Sequence, residues 1–148
     1  MTLQKIGSGI FIQDTILDKI KKIDAIIFDC DGVLIDITQS YDLAIKYVTE
    51  YFLKEFGIEK SPQITPDIIE GFKSTGGFND EVDVTYASIL SLVSANRMKI
   101  PKKKFIFDVI NNADQTGIKS VEKYITILPV NISDIIKKLD YPGQHDTN

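Results

Sequence analysis

Residues 23–29, Ile-Asp-Ala-Ile-Ile-Phe-Asp, restrict the fold of this 148-residue chain more than any other stretch. Four of the seven are Ile or Phe, and the run stops at Asp29-Cys30-Asp31-Gly32. A short, β-branched apolar run that ends abruptly at acid and glycine reads as a buried strand delivering side chains at its C-terminal end. The stretches after it read mainly as helices. A lone strand can neither pair its own backbone groups nor cover its own two faces. The sequence therefore predicts one core strand at 25–29 whose neighbours must come from elsewhere.

Residues 8–22 read as a lead-in to that strand. Ile10, Ile12, Ile16, Ile20 and Ile23 recur at spacings compatible with an amphipathic helix over 13–22, capped by Asp14 or Thr15. After the strand, Thr38 or Ser40 opens a helix with Tyr41, Ala44, Ile45, Val48, Phe52 and Phe56 on one stripe and Gly57 at its C-terminal stop. Thr65-Pro66-Asp67 starts a helix that runs to about Ser74 and breaks at Gly76-Gly77. The longest helix spans about 81–98, with Val82, Tyr86, Ile89, Leu90 and Val93 as its apolar stripe. Pro101 opens another, with Phe105, Val109 and Ile110 inward. Residues 117–128 fit either a helix end or a short strand. Asn131 or Ser133 begins a last helix to Leu139, and the turn-rich tail, with His145, is expected to fray. The organisation this implies is an N-terminal helix and first core strand over 1–37, a helical domain over 38–140 and a flexible tail over 141–148.

Composition narrows the function. A net charge of -4 argues against a nucleic-acid binder, which carries a basic face. One Cys and one His exclude an internal disulfide framework and a Cys-rich zinc site, leaving hard cations held by carboxylates. No apolar run has the length of a membrane span, and the first residues lack the pattern of a signal peptide. The expectation is a cytoplasmic protein without nucleic-acid or membrane partners.

Asp29 and Asp31 are the candidate chemical groups. Two carboxylates so close repel one another, and a magnesium ion bound through their oxygens would relieve that. A strand-end aspartate can attack phosphorus to form an aspartyl-phosphate. A second carboxylate two residues on can protonate the leaving oxygen and then activate water. Gly32 permits a tight turn that brings main-chain N–H groups, those of Cys30 and Gly32, toward a phosphate. An EF-hand calcium loop is a poor alternative, because it needs glycine at the sixth position and glutamate at the twelfth, where this chain has Leu34 and Ser40. An ordinary strand–turn with solvated carboxylates is the plainer reading. Cys30, between the two acids, reads as a small buried packing residue.

The string IIFDCDGVLID resembles motif I of the haloacid dehalogenase superfamily, an apolar strand followed by Asp-x-Asp-Gly-(Thr/Val)-Leu; Asp29, Asp31, Gly32, Val33 and Leu34 match it position for position. The helices that follow resemble the cap of the superfamily's phosphoglycolate-phosphatase-like branch. The resemblance implies an α/β fold of haloacid-dehalogenase type, of which this chain, mostly α, holds one core strand and a helical-bundle cap. It implies Asp29 as nucleophile and metal ligand, and Asp31 as general acid/base whose main-chain carbonyl also meets the metal. Mg2+ is the implied cofactor and a small phosphorylated metabolite the implied substrate.

The remaining superfamily motifs are not found. Ser91, Lys102 and Asp108 stand in the right order, but residues 82–98 follow a helical stripe, and Lys102 and Asp108 are too close to enclose a strand–helix unit. The expectation is an incomplete enzyme, completed by a second polypeptide or a longer chain, or else a non-catalytic remnant that acts as an interaction module, with a homo-oligomer or a complementing chain as the expected partner. Gly76-Gly77-Phe78-Asn79 is the candidate substrate-reading loop of the cap, with a plain helix-breaking turn as the alternative. Lys102-Lys103-Lys104 reads as a solvated first helical turn.

Overall fold

A computed structural model of the chain describes residues 2–139, the side chains of Leu17 and Thr38 excepted; the expected frayed tail over 141–148, with His145, lies outside them. The chain is mostly helical and divides into two units, Met1–Ile37 and Thr38–Asn148.

The described residues of the second unit form six helices: α2 (Thr38–Glu55), α3 (Pro66–Ser74), α4 (Glu81–Arg97), α5 (Lys102–Asn112), α6 (Ile118–Thr126) and α7 (Ser133–Leu139). The sequence signals act at their ends. Gly57 takes a positive φ of 73°, its N–H donates to the Lys54 carbonyl at 2.8 Å, and the Ile58 N–H donates to the Leu53 carbonyl at 2.8 Å. This glycine stop ties off the last carbonyls of α2 and buries Ile58. Pro66 opens α3, where its missing N–H costs nothing. Thr65 precedes it with extended backbone, but the N–H groups of Ile68 and Ile69 go to its main-chain carbonyl rather than to its hydroxyl. The Asp80 carboxylate caps α4 by accepting the Val82 N–H at 2.7 Å.

α4 is the centre of this unit, and α2, α3, α5, α6 and α7 all pack on it. Every residue from Ala87 to Ala95 is buried, as a helix enclosed on several sides requires. The expected one-sided stripe therefore needs correction. Val82 is 53% exposed, and Val84 is the buried residue of the first turn. Ser91 satisfies its buried hydroxyl on the Ala87 carbonyl at 2.6 Å. Phe105, Val109 and Ile110 of α5 point inward as expected. The ambiguous stretch is helix α6, which buries Val121 and Ile125.

Arg97 at the end of α4 clasps α7. Its Nη1 and Nη2 donate to the two oxygens of Asp134 at 2.7 and 2.6 Å, and Nη1 also donates to the Asn131 carbonyl at 2.6 Å. The guanidinium hydrogen bond holds the Asp134 carboxyl down at about 2.

The first unit departs from the sequence reading. β1 (Leu3–Gly7) and β2 (Ile10–Gln13) form an antiparallel hairpin, pairing Leu3 with Gln13, Gln4 with Ile12, Lys5 with Phe11 and Gly7 with Ile10. A single 3-10 turn, Asp14–Ile16, and the short helix α1 (Leu17–Ile20) follow. Ile10 and Ile12 thus belong to a strand at period two, and helical structure spans 14–20 rather than 13–22. Residues 23–29 belong to no helix and no strand, so the expected buried core strand does not form among the described residues. Ile26, Ile27 and Phe28 are 71, 95 and 62% exposed. The physical reason is that strand composition does not make a strand; paired neighbours do. Among the described side chains from Thr2 to Ile37, none is buried.

Candidate functional site

The run of apolar residues ends in a compact turn. The Cys30 carbonyl accepts from both Leu34 N–H at 2.9 Å and Ile35 N–H at 3.0 Å, and Gly32 N–H donates to the Ile35 carbonyl at 2.9 Å. A single bridge pairs Asp31 with Ile35. Gly32 carries a φ of 73° with open space where a Cβ would stand. Backbone conformation rather than crowding requires glycine there.

The turn holds Asp29 and Asp31 two residues apart at its start, both exposed. Asp29 Oδ1 accepts the Cys30 N–H at 2.8 Å, which fixes the carboxylate against its own backbone. Both N–H groups assigned to phosphate binding are therefore engaged inside the loop, Cys30 with Asp29 and Gly32 with Ile35. A phosphoryl oxygen would have to exchange with those acceptors. Cys30 is exposed, which corrects its reading as a buried packing residue.

Magnesium prefers hard oxygen ligands and is held by one or two carboxylates together with waters and substrate phosphate. The two aspartates are donors of the right kind. Among the described residues no group of three His, Cys, Asp or Glu converges to hold a metal ion.

The residues sought as further motifs are parts of helices. Ser91 lies inside α4, and Lys102 and Asp108 lie together in α5. The proposed substrate loop is mostly structural. Phe78 is wholly buried, its ring 5.0 Å from that of Phe72, so it cannot touch a substrate. Gly77 faces the Asp114 carbonyl and the Gly117 backbone so closely that a Cβ has no room. Only Gly76, at a φ of 80°, and Asn79 are exposed. A single aromatic between glycines and an acidic helix cap was the signal for a core plug, and it reads the same as a signal for a loop tip.

A cavity of about 340 Å3 was not foreseen; Asp83, Tyr86, Thr116, Lys119 and Glu122 are among its lining residues. The Tyr86 hydroxyl donates to Glu122 at 2.7 Å. Partial burial, with Asp80 adding to it, pushes the Asp83 carboxyl up. Tyr86 and Glu122 are 36 residues apart on different helices, and no local pattern joins them.

Comparison of the chain with protein-family models, with curated proteins and with solved structures gives no match. Among the described residues no helix is long and apolar enough to cross a membrane.

Proposed function

We propose that the chain is the motif-bearing part of a phosphohydrolase of haloacid-dehalogenase type, acting on a small phosphate monoester. The observation that carries the reading is a glycine turn holding Asp29 and Asp31 at the end of an apolar segment whose side chains stand uncovered. An Asp29 oxygen attacks phosphorus, the bond to the leaving oxygen breaks, and Asp31 gives that oxygen a proton. Asp31 then takes a proton from water, the water oxygen attacks the aspartyl-phosphate, and inorganic phosphate leaves with Asp29 restored. Magnesium, when bound, supplies positive charge to the phosphoryl oxygens. Asp29 and Asp31 would contribute to holding it.

The uncovered segment supports a further part of this reading. Ile26, Ile27, Phe28, Val33, Leu34 and Ile35 are each more than half exposed. Covering six such side chains is worth on the order of 10 kcal/mol as an upper estimate. Strands pairing with residues 25–29, from further sequence or from a complementing chain, would gain it and complete the core. In isolation the described residues bring few of the phosphate-binding groups that phosphoryl transfer relies on to the site, and this reading expects turnover that is slow but measurable.

The engaged N–H groups of Cys30 and Gly32 favour a second reading, a non-catalytic module that uses the same segment for association. Release of phosphate from an aryl phosphate by the purified chain with Mg2+ separates the two. Turnover that disappears in Asp29→Asn supports the enzyme. Equal turnover in both proteins sinks the Asp29 chemistry, and no turnover in either supports the module.

A further inference from the structure

The cavity beside Tyr86 lies wholly within the helical unit, and no step proposed for Asp29 uses it. Its volume of about 340 Å3 falls at the lower end of small-molecule sites. Backbone contact fixes part of its wall. The turn between α3 and α4 crosses the loop between α5 and α6 at Gly77 and Gly117, where a Cβ on either glycine would stand 2.4 Å from a carbonyl oxygen of the other segment. Within that loop, Asp114 Oδ1 accepts the Thr116 N–H at 2.8 Å. Ser120 Oγ accepts the Asp114 N–H at 3.1 Å and donates to the Gly117 carbonyl at 2.6 Å. A wall already tied in this way costs a ligand little ordering entropy.

Two carboxylates line the cavity. Asp83 and Tyr86 stand one turn apart on α4 and share a face, and the Tyr86 hydroxyl donates to Glu122 Oε1 of α6 at 2.7 Å. Asp83 and Glu122 are both partly buried, and among the described residues neither enters an ion pair. Burial and the like charge of Asp80 together make the charged form of Asp83 costly. A cation placed beside the two acids would relieve that cost. Lys119 also lines the cavity, but it is exposed and pairs with neither acid.

The rest of the lining selects the kind of cation. Hard metal ions are held in shells of six or more oxygens. An ammonium group has three N–H donors, which two carboxylates and one neutral oxygen satisfy. Gln115 and Thr116 bring neutral oxygens to the same cavity, and Ile118, Ile136 and the Tyr86 ring give it an apolar wall. We propose that the helical unit binds a small organic cation here, a protonated primary amine on an apolar stem. Its ammonium group meets Asp83 and Glu122, and its stem lies along Ile118, Ile136 and the Tyr86 ring. The proposal does not depend on the chemistry assigned to Asp29.

Amide NMR spectra of the full, nitrogen-labelled chain, titrated with n-hexylamine at neutral pH, test it. Saturable shifts are expected at residues 83–86 and 115–122, with a Kd of about 1 mM or below, ordinary for so small a molecule. n-Hexanol and n-hexanoate keep the stem and remove or invert the charge, and each is expected to bind at least about 10-fold more weakly. Asp83→Asn and Glu122→Gln should each weaken n-hexylamine by at least about 10-fold. Both keep the shape of the side chain and an acceptor oxygen, so thermal unfolding should stay within a few degrees of wild type. Lys119→Gln should bind at least as tightly as the wild type. Equal affinity for n-hexanol would make the cavity an apolar slot. A preference for n-hexanoate or inorganic phosphate would assign it to an anion at Lys119, and tighter binding of Mg2+ at the same resonances would assign it to a metal. Each of these results overturns the proposal, as do shifts that never saturate, shifts confined to α2, or affinity that survives both carboxylate substitutions.

Discussion

Phe78→Ala tests whether the turn between α3 and α4 belongs to the core or to a binding loop. The ring is wholly buried and stacks obliquely on Phe72 at 5.0 Å between centroids and 51° between planes. Deleting a buried Phe side chain costs about 3–5 kcal/mol, of which the aromatic pairing itself accounts for roughly 0.5–1.5 kcal/mol. Domains of about 100 residues are stable by roughly 5–15 kcal/mol, and each kcal/mol moves the melting midpoint by about 4–8 °C. The substitution should therefore lower the midpoint by about 12 °C or more and bring the helical unit close to unfolding at ambient temperature. Asn79→Ala, the exposed neighbour, should stay within about 0.5 kcal/mol of wild type. Thermal and urea unfolding followed by far-UV circular dichroism measures both. A Phe78→Ala chain as stable as the Asn79→Ala chain would refute the placement of this ring in the core and restore the loop as a candidate for substrate contact.

Gly77→Ala should destabilise by about 2–4 kcal/mol in the same unfolding assay, because its Cβ would meet the Asp114 carbonyl and the Gly117 backbone, neither of which can turn aside. Gly76→Ala, strained only by its positive φ, should cost about 1 kcal/mol; equal losses at the two positions would remove the close backbone contact from the explanation. The Arg97–Asp134 clasp should show in acid. Its Asp134 carboxyl sits at about 2 in the fold and near 3.9 in an unfolded chain, so its stabilising contribution is complete above the unfolded value and drains away as pH falls toward 2. Arg97→Gln should lower the urea midpoint at neutral pH, and the gap to wild type should narrow as pH falls toward 2, leaving the share that comes from the Asn131 carbonyl. A gap that stays constant with pH would mean that the ion pair is not its source.

The helical part of the fold was legible because its signals are local. Gly57, Pro66, the Gly76-Gly77 pair and Pro101 mark ends that depend only on backbone geometry, and each marks an end in the structure. The inward face of α5 follows from spacing in the same way. What was not legible depends on distant partners. Val82 fits an apolar stripe in the sequence, yet whether a stripe is covered depends on which helices surround it, and those surrounding α4 come from five separate segments. The hairpin over residues 3–13 was missed although Gly7-Ser8-Gly9 offers a turn between alternating residues, because the isoleucines from 10 to 23 also satisfy a helical period. Residues 23–29 have the composition of a buried strand, and pairing is the property a single run of sequence cannot contain. The candidate acids were found because their spacing is itself the signal. The hydrogen bonds that engage Cys30 and Gly32 were not, since they close only when residues 30–35 fold back.

The absence of any buried side chain in the described part of the first unit separates two properties that most enzymes keep entangled. Asp29 and Asp31 are exposed residues of that unit, while the helices that hold the buried core carry none of the proposed reacting groups. A mutational survey of this protein should then draw two maps with little overlap. A protease that trims the amino-terminal quarter, residues 1–37, would leave the six helices and their core without either acid, so a well-folded preparation and a chemically competent one are separate things to verify.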